Sequence, residues 1–113
     1  MKKYNLNNFK GGWVAGNFDP TILKTDQFEV SVKRYKKGEF QEEHVHKKAD
    51  EVSIIIEGSA RMKGKIYKKD DIILIEKGES TDFMPLEDGT VTCVIKNPSV
   101  IGDKYLINDT GIS

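Results

Sequence analysis

From Phe28 to Ile107 the apolar and polar positions follow the pattern of short strands. Phe28, Val30 and Val32 alternate with Glu29, Ser31 and Lys33, the period of two that sends successive side chains to opposite faces of a sheet. No long stretch carries the i, i+3, i+4, i+7 apolar repeat of an amphipathic helix. The spacing predicts strands over Phe28 to Arg34, Glu42 to His46, Val52 to Glu57, Ala60 to Met62, Ile66 to Tyr67, Asp71 to Ile75, Thr81 to Met84 and Thr90 to Lys96. Ile54 to Ile56 and Ile72 to Ile75 are apolar at consecutive positions, and a strand apolar on both faces must be covered on both. A second copy of the chain is the expected outer cover, which predicts a homodimer.

Gly58-Ser59 and Lys63-Gly64 are read as tight connections between adjacent strands, because glycine adopts the positive φ that hairpin turns require. Many short strands with turn signals between them predict an all-β domain, a meander closed into a sandwich or barrel that leaves few exposed edges. Residues 1–27, with Gly11-Gly12-Trp13 and Phe18-Asp19-Pro20, are expected to form an arm packed on that domain, with Trp13 as an apolar anchor. Residues 28–107 form the domain itself, with Pro98 to Tyr105 as an extended covering segment. Residues 108–113 are read as a tail without fixed structure.

Composition narrows the function classes. A chain of 113 residues holds one hydrophobic core and buries only about two-thirds of its unfolded surface, which also favours association. Eighteen basic and eighteen acidic residues cancel, so there is no electrostatic footprint for nucleic acid. The lysine pairs at 36–37, 47–48 and 68–69 lie close to carboxylates, as on a solvated surface of mixed charge. Cys93 is the only cysteine and has no partner for an intramolecular disulfide. It is read as a small buried hydrophobe. No cleavable leader follows Met1-Lys2-Lys3, and no apolar run approaches the roughly 20 residues that span a bilayer. The cytoplasm is the expected compartment, with no membrane partner.

The candidate chemistry lies in His44-Val45-His46, which holds both histidines of the chain. On a strand this spacing directs both imidazoles to one face. A first-row metal ion accepts imidazole nitrogen and carboxylate oxygen, and Glu51, at the start of the next strand, is the natural third donor. The bare pair is equally compatible with hydrogen-bonded core histidines or surface residues. Tyr35, Phe83 and Tyr105 are candidates to line a cavity, although strand aromatics usually serve the core. Glu57 sits at a strand end and is read as solvated.

The pair belongs to a longer pattern. Gly38, five residues, His44, one residue, His46, four residues, Glu51, six residues, Gly58 agrees at every fixed position with the first motif of the cupin superfamily, which the chain therefore resembles over about Phe28 to Lys96. The resemblance implies a small antiparallel jelly-roll barrel. It makes His44, His46 and Glu51 the ligands of a divalent transition metal (Mn, Fe, Ni or Zn), with Gly38 and Gly58 as turn glycines. The second motif is degraded: registered on Gly78, its Gly is Asp70, its Pro is Glu76, its His is Thr81 and its Asn is Pro85. The usual fourth ligand is thus absent. Thr81 is a candidate to hydrogen-bond a bound water or substrate, and Asp82 is a candidate inward carboxylate. Three readings of the site follow: a metal-dependent cupin enzyme acting on a small polar molecule, a cupin that binds a small ligand without reaction, and a metal-free sugar isomerase or epimerase using His44 or His46 as acid and base.

Overall fold

Alternation and turn chemistry place the strands close to where the sequence predicts them, and long-range pairing sorts them into two facing sheets. The computed structural model describes residues 1–107, so the tail expected over 108–113 lies outside the described residues. Two 3-10 turns, Leu6–Asn8 and Lys10–Gly12, precede the strands β1 (Trp13–Gly16), β2 (Leu23–Lys24), β3 (Glu29–Tyr35), β4 (Gln41–Val45), β5 (Asp50–Glu57), β6 (Ser59–Met62), β7 (Lys65–Lys68), β8 (Ile72–Ile75), β9 (Ser80–Pro85), β10 (Thr90–Asn97) and β11 (Tyr105–Leu106). One sheet has the order β2-β1-β3-β10-β5-β8 and the other β11-β4-β9-β6-β7. Apart from the parallel β1 and β2 contact, all pairings are antiparallel. This is an all-β jelly-roll. No helix among the described residues is long and apolar enough to cross a membrane.

The connections differ from the expected meander. Lys63 and Gly64 both have positive φ, 49° and 78°, and join the antiparallel β6 and β7 in the two-residue hairpin their sequence predicts. Gly58 does not make a hairpin. β5 ends at Glu57 in one sheet and β6 begins at Ser59 in the other, so Gly58 carries the chain across the sandwich. Its φ is +81°, and a Cβ there would lie 2.4 Å from Thr90 Oγ1 and 2.9 Å from Thr90 Cα, which leaves room for glycine alone.

The ladders decide which face of the large sheet is inside. Directly opposed residues share a face, and two cross-strand rows run Leu74, Val52, Ile95, Val30 and Ile72, Ile54, Cys93, Val32. Both rows point outward. Ile72 and Leu74 are 70% and 59% exposed, and the others, Cys93 included, are only half-buried. Cys93 is therefore an outer-face residue rather than a buried one. The inner rows are Ile75, Glu51, Lys96, Glu29 and Ile73, Ser53, Val94, Ser31, mostly polar. The apolar core consists of Tyr35, Ile55, Ala60, Met62, Ile75 and Phe83, with Tyr67 and Ile73 against it. The polar inner rows line a cavity of about 340 Å³, which the core residues Tyr35, Met62 and Phe83 also border.

Candidate metal and ligand site

His44 lies in β4 and His46 directly follows it, so strand alternation turns both rings inward. They are 5% and 3% exposed, with ring centroids 5.2 Å apart and planes at 80°. Glu51, at the start of β5 in the other sheet, is 8% exposed. All three line the cavity. His44 Nδ1 is 2.8 Å from the Glu42 carbonyl, which assigns the proton to Nδ1 and leaves Nε2 as an acceptor or ligand. Ser53 Oγ donates to Glu51 Oε2 at 2.8 Å. Glu51 Oε1 is 3.9 Å from His46 Nδ1, beyond hydrogen-bond reach. His46 Nε2 is buried with no hydrogen-bond partner.

The electrostatics keep both imidazoles neutral near pH 7. Burial, with smaller effects from Lys96, His44 and Lys104 against an opposing Asp103, pushes His46 down to about 4. Burial also lowers His44, although its bond to the Glu42 carbonyl opposes the shift. Neutral imidazole is the ligand form. The donor set thus fits a divalent ion in kind, burial and orientation toward one cavity, and the orphaned His46 nitrogen is a position an ion would satisfy. The donors are not drawn together: among the described residues no group of three or more His, Cys, Asp or Glu side chains is close enough to hold an ion.

Thr81 stands directly opposite His44 in the ladder between β4 and β9. It is buried, and its hydroxyl donates to the Asp82 carbonyl at 2.8 Å. Asp82 also lines the cavity, and its carboxylate accepts the Lys63 backbone N–H at 2.7 Å, at the β6 to β7 hairpin. Tyr35 and Phe83 line the cavity while belonging to the core, with centroids 4.7 Å apart. Gln41 Nε2 donates to the Tyr35 hydroxyl at 2.9 Å. Tyr105 lies instead under the Lys47 ammonium, 4.3 Å from its ring centroid.

One positioning residue has no sequence signal. Asp103, 6% exposed, accepts the backbone N–H groups of Lys47, Lys48 and Ala49 at 3.0 to 3.2 Å. Those three residues form the turn between His46 and Glu51, so Asp103 clamps the loop that separates the two candidate ligands. The His46 carbonyl is fixed from the other side by the Gly78 N–H at 2.8 Å.

No protein-family model and no curated protein matches the sequence. Solved structures do. An uncharacterized conserved protein with a double-stranded beta-helix domain from Klebsiella pneumoniae superposes with a TM-score of 0.67 at 22% identity, over 75% of this chain and 74% of that one. The DMSP lyase DddQ from Ruegeria pomeroyi gives 0.68 at 13% identity over 95% and 60%. A sugar phosphate isomerase from a cupin superfamily, from Silicibacter pomeroyi, gives 0.59 at 20% identity over 65% and 52%. The chain thus spans just over half the length of the last two proteins. With two facing sheets, a cavity lined from both of them and these structural neighbours, the chain is a small protein of the cupin fold.

Proposed function

We propose that the cavity binds a small polar molecule beside a divalent metal ion held by His44, His46 and Glu51. The observation that carries this reading is His46 Nε2, a buried nitrogen with no partner next to a second neutral imidazole and a buried carboxylate. Leaving such a group unsatisfied costs about 1–3 kcal/mol, so the site is built for an occupant. An ion there supplies Lewis acidity at positions left open to a ligand. The chain's own residues orient the donors: the Glu42 carbonyl sets the His44 tautomer, Ser53 engages one Glu51 oxygen, and Asp103 holds the intervening turn.

A second reading is favoured by the spread donors and by Thr81, which replaces a fourth ligand with a hydroxyl bonded to backbone. In it the cavity binds its ligand without metal, or His44 or His46 moves protons as acid and base. Elemental analysis separates the two. Protein purified without added metal or chelator should carry near-stoichiometric metal that is lost in His44→Ala and His46→Ala. No metal after reconstitution with manganese, iron, nickel and zinc would overturn the first reading in favour of the second.

A further inference from the structure

The inner face of the large sheet carries a cluster of donors that His44, His46 and Glu51 do not use. Thr92 lies directly across from Lys33 in the ladder between β3 and β10, and Ser31 precedes Lys33 by two residues on the same strand. The three side chains therefore share one face, and all line the cavity. Ser31 and Thr92 are 0% and 1% exposed, and neither hydroxyl has a hydrogen-bond partner. Thr92 is near enough to the Tyr35 phenol to influence its titration but does not complete a hydrogen bond to it.

Lys33 is half-buried, and among the described residues its ammonium makes no hydrogen bond or ion pair. It stands over the Tyr35 ring, 5.8 Å from the centroid. Burial, and then the charges of Lys104 and Lys96, hold it below the usual lysine range, a condition a bound anion relieves. The cavity's carboxylates are engaged elsewhere: Glu51 with Ser53, Glu29 with Ser99, Asp82 with the Lys63 N–H and Asp103 with its turn. Lys96 is flanked in its ladder row by Glu51 and Glu29. Lys33 faces Thr92 instead; the one carboxylate that acts on its charge is Glu39, which accepts the Lys36 N–H, so Lys33, Ser31 and Thr92 offer donors that no acceptor among the described residues engages.

We propose that Lys33, Ser31 and Thr92 form an oxyanion-holding subsite, so that the molecule this cavity takes bears a carboxylate or phosphate group seated there while the rest of it reaches toward His44, His46 and Glu51. The inference rests on the reading of the cavity as a small-molecule site. A volume of about 340 Å³ lies at the small end of ligand cavities, and one ammonium with two hydroxyls matches the acceptor oxygens of a single anionic group.

The test is an amide NMR titration of chelator-treated protein at low salt with inorganic phosphate and, separately, malonate. At least one should give saturable shifts at Ser31, Lys33 and Thr92, and which one binds decides between phosphate and carboxylate. Lys33→Met should weaken binding at least about tenfold, the loss expected for one charge-assisted hydrogen bond. The Ser31→Ala, Thr92→Val double variant should weaken it severalfold, and Lys33→Arg should retain it. Binding should survive in the His44→Ala, His46→Ala double variant, which separates this subsite from the metal reading. Unchanged affinity in Lys33→Met, loss only in the histidine variant, or no saturable shift with either anion up to tens of millimolar would overturn the proposal.

Discussion

Removing the Asp103 carboxylate tests how the turn between His46 and Glu51 is held. In Asp103→Ala three backbone N–H groups lose a charged acceptor. Lys47 and Lys48 are exposed, so water replaces most of what their N–H groups lose, at about 0.5 kcal/mol each. Ala49 is 2% exposed, and its orphaned N–H costs about 2 kcal/mol. The expected loss is therefore about 3 kcal/mol, read as a lowered urea midpoint with an unchanged slope. Because the freed turn carries His46 at one end and Glu51 at the other, the variant should also retain metal poorly at stabilities where it is still folded. Asp103→Asn, which keeps one acceptor oxygen, should fall between. A loss below about 1 kcal/mol in Asp103→Ala would mean that the clamp is redundant and the reasoning wrong.

Two further outcomes are expected. His46 is neutral when folded and protonates near 6.5 when unfolded, so in metal-free protein stability is flat above about pH 6.5 and falls as pH drops toward 4. The interval corresponds to roughly 3 kcal/mol at 1.36 kcal/mol per pH unit, with His44 adding in the same direction. Guanidinium titrations from pH 7 to 4.5 should show the decline and His46→Gln should flatten it; equal slopes in both proteins would refute the assignment. The exposed Ile72 and Leu74, in line with the half-buried Ile54 and Val52, predict a homodimer packed through the outer face. Light scattering should find a dimer in the wild type and a folded monomer in the Ile72→Lys, Leu74→Lys double variant, whereas a monomeric wild type would sink this expectation.

The sequence by itself determined the all-β class, most strand positions and the placement of His44 and His46 on one face of a strand, because alternation and turn chemistry act between residues close in the chain. The short strands β1, β2 and β11 escaped that reading, since they lie in the segments read as an arm and an extended cover, and it is pairing with distant strands that makes them part of the sheets. A period of two also says that faces alternate without saying which is buried. Only the tertiary structure decided that Val30 and Val32 face outward while Ser31 and Lys33 line a cavity. The same holds for Asp103, which reaches its turn from 54 to 56 residues away and bonds to backbone N–H groups that every non-proline residue possesses. It holds for Asp82, whose carboxylate serves a hairpin, and for Gly58, which carries the chain between sheets where Thr90 leaves no room for a side chain. Local pattern sets what each strand offers, and the pairing of distant strands sets which of those offers meets the cavity.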